Sequence, residues 1–207
     1  MVIMQTTRVI LLRHGECEGG NILRGQIDVA LTEQGKRQMQ SVLCGLKSPG
    51  STPDVVLSSP LIRCANLAEE FALTQGSPYA VEAAFKELNF GDWDGQTFDV
   101  LYQSHAAALD AYWANPWLAA PPNGESMQDF EARIERAWQA MFEQHQGKQI
   151  LLVTHGGVMR HLMAKALGVK QAAGFYTSLQ LPYAAKAEID VLHDENGQQF
   201  LTLHWGK

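Results

Sequence analysis

The chain has 207 residues, enough for one domain with a substantial core. Its 46% hydrophobic and 18% charged residues are ordinary for a globular protein, and a net charge of −6 argues against nonspecific nucleic-acid binding while leaving room for a local basic pocket. No apolar run approaches the roughly 20 residues that span a bilayer; Met1–Thr7 lacks signal-peptide features; and three scattered cysteines (Cys17, Cys44, Cys64) form neither a disulfide framework nor a zinc ribbon, so a reducing cytoplasm fits best.

Arg8–Leu12 reads as a buried strand that stops at Arg13-His14-Gly15. A polar, glycine-rich loop runs from Glu16 to Asp28. Thr32 is placed to cap a helix whose inner face is Met39, Val42, Leu43 and Leu46. Ser48–Pro53 is a connector and Asp54–Ser58 a second buried strand. Ser59-Pro60 predicts a helix start, a cap followed by proline in the first turn, with Leu61, Ala65, Ala68 and Phe71 inward. A short strand is predicted at Tyr79–Val81.

From Phe85 to Pro122 the chain is aromatic-rich and irregular, with one helix predicted over Phe98–Trp113 and a loop bounded by Asn115-Pro116 and Pro121-Pro122. Ser126 with Asp129 resembles a capping box. Met127, Phe130, Ile134, Ala137, Trp138 and Met141 then mark a long amphipathic helix. Gln149–Thr154 is another apolar strand, again ending in His-Gly at His155-Gly156, and a helix follows from Gly157 to Leu167. Ala185–Leu192 and Gln199–Trp205 read as two strands of a hairpin around Asn196-Gly197. This alternation predicts an α/β fold: a three-layer α/β/α sandwich with a largely parallel sheet and an antiparallel edge. Residues 1–207 are expected to form one domain, with 85–122 an insertion over the active site.

In an open α/β sheet, ligands bind beyond the carboxyl ends of strands. Two strands ending in His-Gly therefore suggest one site. Phosphoryl transfer needs a nucleophile, positive groups around the equatorial oxygens and a proton for the leaving group. His14 can attack phosphorus if its facing nitrogen is unprotonated, which adjacent arginines favour. Gly15 is expected to clear space where the phosphate approaches. Arg13 is a planar donor suited to phosphate oxygens, and Arg63, in the first turn after Ser59, supplies a second clamp. His155 can donate to a phosphoryl oxygen, and Gly156 and Gly157 let backbone N–H groups approach the same ligand.

A metal reading through His155 and His161 is weak, because a spacing of six puts them roughly 120° apart on a helix and no cysteine cluster joins them. Cys17 reads either as a thiol activated by the arginines or as a small filler. His105, His145, His161, His193 and His204 carry no motif and read as structural or exposed.

The segment Leu12-Arg13-His14-Gly15-Glu16 resembles the RHG signature of the histidine phosphatase superfamily, also called the phosphoglycerate mutase-like family. Leu31-Thr32 with Gly35, Ser58-Ser59-Pro60-Leu61 with Arg63, Glu87 through Gly95, and Val153 through Gly157 all fall in family order. The resemblance implies that His14 is the phosphorylated nucleophile and that Arg13, Arg63 and His155 complete the phosphate pocket. It makes Glu87 the proton donor to the leaving oxygen and then the base for the hydrolytic water, with no metal or other cofactor. Two positions depart from the pattern. Cys17 stands where the family usually has Thr or Ser, and Gly20 where it has Asn, leaving Asn21 one step later to reach the phosphate.

Within the superfamily, loop 18–25, Phe90 through Gly95, and Trp117 through Ser126 resemble the α-ribazole phosphatases. That implies α-ribazole 5′-phosphate, or the corresponding cobamide phosphate, as substrate in cobalamin biosynthesis. The rings of Trp93, Tyr102, Tyr112, Trp113 and Trp117 either face a flat base or pack as lid core. The rival readings are a sugar-phosphate or phosphohistidine phosphatase, a mutase, and a noncatalytic phospholigand-binding module. The longer insertions of cofactor-dependent mutases are missing, which favours a phosphatase. The expected partner is a small phosphate ester, with neither nucleic acid nor membrane, and the oligomeric state is left open.

Overall fold

The strands β1 (Thr6–Arg13), β2 (Val55–Ser58), β3 (Tyr79–Val81) and β4 (Gln149–Thr154) run parallel, and β5 (Lys186–His193) and β6 (Gln199–Trp205) add an antiparallel edge. In the computed structural model, which describes residues 6–48, 50–169, 171–194 and 198–205, they form one six-stranded sheet of order β3-β2-β4-β1-β5-β6. The helices are α1 (Glu33–Gly45), α2 (Ile62–Gln75), α3 (Phe98–Ala114), α4 (Met127–His145), α5 (Gly156–Leu167) and α6 (Ala173–Ser178).

The pleat sends successive side chains to opposite faces, so one apolar run feeds two cores. Val9, Leu11, Ile150 and Leu152 join a cluster with α4 and α5, while Ile10, Leu12, Leu151 and Val153 join α1 and α2. The predicted three-layer sandwich is the result. β5 buries only Ala187, Ile189 and Val191. Its other row begins with the charged Lys186, Glu188 and Asp190, and Arg8 grips Asp190 there at 2.7 and 2.9 Å. An edge covered on one face alternates; central strands covered on both do not.

Local signals set most boundaries. Thr32 caps α1, its Oγ accepting from the Gly35 N–H at 2.9 Å. Ser126 caps α4, accepting from the Asp129 N–H at 3.1 Å. The return bond of the expected box is replaced by the Ser126 hydroxyl donating to Asp129 at 2.7 Å. α3 runs one residue beyond its predicted end and kinks at His105, where φ is −138°. α6 was not expected; its stretch is too short for a helical period to show. The paired strands β5 and β6 match the predicted hairpin, but the turn Asn196-Gly197 lies outside the described residues.

One boundary needs correction. Ser59 does not cap α2; Leu61 is the N-cap and offers no side-chain bond. The orphan N–H of Ile62 is taken instead by the Asp28 carboxylate at 2.8 Å. A charged cap from another loop outbids the nearby serine, whose hydroxyl is engaged elsewhere.

The aromatic stretch after β3 packs on the α4/α5 side of the sheet. Phe85, Trp93, Leu101, Leu109 and Tyr112 are buried in that cluster. Among the described residues no helix is long and apolar enough to cross a membrane.

Candidate active site

Three neighbouring strand ends build the site. β1 and β4 are adjacent and in register, Arg13 opposite Thr154, and the His14 N–H donates to the Thr154 carbonyl at 3.0 Å. The next residue on each strand is a histidine, and the two rings lie 5.3 Å apart between centroids. β2, on the far side of β4, ends at Ser58 and leads through Ser59 to Arg63 in the first turn of α2.

The cluster is dry. His14 is 4% exposed, and Arg63 and His155 are fully buried. The Arg63 guanidinium donates to the carbonyls of Ile27 at 2.7 Å and Gly25 at 2.6 Å. Arg13 donates to the Leu181 carbonyl and lies over the Tyr183 ring, 4.7 Å from its centroid. Each arginine keeps a buried Nε with no partner among the described residues. Unpaired buried donors are uncommon, and two of them on cations beside a histidine pair make a cradle for an anion.

This setting controls both imidazoles. Burial, then Arg63 and Arg13, push His14 from its ordinary 6.5 down to about 3. Burial, Arg63, His14 and Arg13 likewise hold His155 well below 6.5. Arg24, in loop 18–25 but given no role from the sequence, adds to the effect on His14 while its guanidinium grips the Glu18 carbonyl at 2.9 Å and that of Gly20. Both rings are therefore neutral at pH 7. His14 Nδ1 lies 2.8 Å from the Gly15 carbonyl. A carbonyl only accepts, so Nδ1 carries the proton and Nε2 keeps its lone pair.

Glu87 sits over the start of α5. Its carboxylate accepts from the Gly157 N–H at 3.0 Å and the Leu88 N–H at 3.0 Å. The Gly157 amide, expected to reach the ligand, is thus taken by Glu87. A Cβ on Gly157 would fall 2.2 Å from Glu87 Oε1, so glycine is what lets the carboxylate settle there. Arg133 of α4 fixes the backbone behind it, donating to the carbonyls of Lys86 at 2.9 Å and Glu87 at 3.1 Å while paired with Glu125 at 2.7 Å.

Gly15 meets a constraint the sequence did not show. A Cβ there would meet the Gly35 carbonyl oxygen at 2.1 Å, so the residue admits the start of α1 against the loop. Gly156 lies where two cations converge; its Cβ would stand 3.2 Å from Arg160 Nη1 and 3.4 Å from Arg13 Nε. Asn21 is exposed; its carbonyl accepts from the Phe98 N–H at 3.4 Å and its amide makes no hydrogen bond among the described residues.

Cys17 is buried, and burial pushes its thiol up despite the arginines, so it is a filler rather than an activated nucleophile. His161 is buried between Tyr176 at 3.1 Å and Glu135 at 3.2 Å, with partners unrelated to those of His155. Trp93 is core, Trp117 is nearly so and Tyr102 is exposed. Tyr112 and Trp113 instead wall a cavity of about 90 Å³ beside Glu87, with Phe90, Arg160 and Tyr176.

Several contributors were given no role from the sequence. Asp94 accepts from the N–H groups of Gly25 at 2.8 Å, Gln26 at 2.6 Å and Ile27 at 2.9 Å. It thereby shapes the turn whose carbonyls hold Arg63. Arg133 and Arg160 are spaced like ordinary helix surface charges. For Asp94, its place inside the Glu87–Gly95 motif was the one available hint.

The sequence model described as the histidine phosphatase superfamily (branch 1) matches residues 9–205. The chain belongs to that superfamily. It is 31% identical over 199 residues to the adenosylcobalamin/alpha-ribazole phosphatase of Escherichia coli (strain K12), covering 95% of this chain and 93% of the relative. It is also 31% identical over 172 residues to a 2,3-bisphosphoglycerate-dependent phosphoglycerate mutase of Methylobacterium radiotolerans, covering 79% and 81%. The crystal structure of the alpha-ribazole phosphatase from Shigella flexneri superposes with a TM-score of 0.81 at 29% identity, covering 96% of this chain and 95% of that one. These relatives are phosphatases or mutases, and this histidine phosphatase chain is an enzyme.

Proposed function

We propose that the chain is a phosphomonoesterase working through a phosphohistidine, without metal or other cofactor. The observation that carries this reading is the pair of buried histidines beside two buried guanidinium N–H groups that have no partner among the described residues. Arg13, Arg63 and His155 hold the phosphoryl oxygens, with the Gly156 amide and the exposed Asn21 as further donors. His14 Nε2 attacks phosphorus in line, and the ester P–O bond breaks. The Glu87 carboxyl gives its proton to the departing alkoxide. Water then loses a proton to the Glu87 carboxylate and attacks phosphorus; the P–N bond breaks and inorganic phosphate leaves.

The favoured substrate is α-ribazole 5′-phosphate or the corresponding cobamide phosphate. The cavity beside Glu87 is walled by Phe90, Tyr112 and Trp113, which suits a flat apolar leaving group. Residues 85–122 act as the lid that sets this preference, within one domain spanning 1–207. Arg160 on the same wall favours a second reading, a leaving group that carries its own anion, such as a phosphoglycerate.

Steady-state kcat/KM in EDTA on α-ribazole 5′-phosphate, 3-phosphoglycerate, sugar phosphates and a phosphohistidine peptide tests both readings. Preference for the ribazole ester is the expected result. Preference for the phosphoglycerate would favour the Arg160 reading, and failure to hydrolyse any ester would end the phosphatase assignment.

A further inference from the structure

His155 is held by one strong hydrogen bond. Its Nε2 lies 2.8 Å from Ser59 Oγ. Both residues are fully buried, so every proton between them needs an acceptor inside the protein. The Ser59 oxygen already accepts from the Leu61 N–H at 3.3 Å. Among the described residues its own proton has one acceptor within reach, His155 Nε2. If Nε2 were the protonated nitrogen, both the serine proton and the Nδ1 lone pair would be left without a protein partner, which is costlier than leaving the Nδ1 proton alone to face a ligand.

The second ring nitrogen follows. Cys64 Sγ is almost equidistant from Nδ1 and Nε2, at 3.8 and 3.7 Å, so it lines up with neither. The Cys64 proton goes to the Thr154 carbonyl at 3.4 Å. Among the described residues no strong acceptor is placed for a proton on Nδ1, and the neighbouring ring is His14.

We propose that Ser59 is a positioning residue whose hydroxyl donates to His155 Nε2 and so holds His155 as its Nδ1–H tautomer, an uncharged donor for the transferring phosphoryl group. This rests on the phosphatase reading for the donor's purpose, but the tautomer stands on the hydrogen bonds alone. At the start of α2, Ser59 Oγ, turned toward the histidine, accepts only from the Leu61 N–H, and Asp28 takes the N–H of Ile62. Arg63 and Arg13 supply the positive charge, so a neutral His155 adds direction.

The experiment is a long-range 1H–15N correlation spectrum of the full chain with 15N-labelled histidine, with His155 assigned by its loss in His155→Gln. The expected result is an Nδ1–H imidazole in the wild type and a shift toward Nε2–H in Ser59→Ala. With that shift, kcat on a phosphate ester should fall about 10- to 100-fold, as when a histidine loses the partner that orients it, with KM moving far less. Ser59→Thr keeps a hydroxyl and should restore both readouts. An Nε2–H form in the wild type overturns the proposal, and so does a Ser59→Ala protein with unchanged tautomer. If Ser59→Ala fails to fold, the wild-type spectrum decides. A protein that shows the Nδ1–H form but hydrolyses no ester would overturn the phosphatase reading and uphold the tautomer.

Discussion

The ends of β1 and β4 lie side by side, each presenting one buried neutral histidine, and they differ in what stands behind the ring. Behind His14 is the Gly15 carbonyl at 2.8 Å from Nδ1, which accepts a proton and frees Nε2 as a lone pair. Behind His155 is the Ser59 hydroxyl at 2.8 Å from Nε2, which offers a proton and leaves Nδ1 as the donor. The same residue type at the same topological position, in the same field of arginines, is directed to opposite chemistry by a single backing bond. Charge sets whether each ring is protonated; hydrogen bonding sets where the remaining proton sits.

The strongest way to break this comparison is His14→Ala. Loss of the attacking nitrogen should lower kcat by at least about 10⁴-fold, with an unchanged circular dichroism spectrum showing that the fold survives. Comparable turnover in the variant would remove His14 from the chemistry. Glu87→Gln comes next. It keeps the shape but cannot exchange the proton, so kcat on an alkyl phosphate should fall about 10²- to 10³-fold. In kcat/KM, which leaves out the shared hydrolysis of the phosphohistidine, the loss should be much smaller with p-nitrophenyl phosphate, whose leaving group needs no proton; equal losses of kcat/KM on both esters would assign Glu87 to binding.

A finer contrast lies in the two glycines after His155. Gly157→Ala drives a Cβ to 2.2 Å from Glu87 and should lower kcat on alkyl esters while phosphate inhibition stays near the wild-type level. Gly156→Ala meets the ends of Arg160 and Arg13 at 3.2 and 3.4 Å and should instead weaken phosphate inhibition. Identical profiles for the two variants would contradict this division of labour.

The smallest expected effect is on stability. His14 is held down to about 3 and His155 well below 6.5 in the folded chain. Unfolding returns both to about 6.5, so below that pH the unfolded chain binds more protons. Their contribution is full above 6.5 and is lost as pH falls from 6.5 toward 3. Thermal melts should show Tm declining across that window, with a shallower decline in His14→Ala. An equal slope in both proteins would show that His14 is not held neutral.

Where the chain carried short-range signals, they were legible. The apolar runs at Arg8–Leu12 and Gln149–Thr154 identified β1 and β4 because a strand buried on both faces needs little beyond its own side chains to be recognised. Thr32 and Ser126 announced their helices because a cap bonds three residues away. The strand-end histidines and Arg63 could be proposed together because two His-Gly ends in a parallel sheet open on the same edge.

Long-range partners carried no such signal. Nothing near Gly15 indicates that Gly35 will press against it, nothing near Arg63 indicates that Asp94 shapes the turn it grips, and nothing near Ser59 indicates that His155 claims its hydroxyl while Asp28 takes the cap. By itself the sequence determined which elements form and which residues the sheet delivers to one edge, because periodicity and capping act within a few residues. Only the tertiary structure decided which nitrogen of His155 holds the proton and what Glu87 rests on, because those outcomes depend on hydrogen bonds between residues about 96 and 70 positions apart, as Ser59 with His155 and Glu87 with Gly157 are.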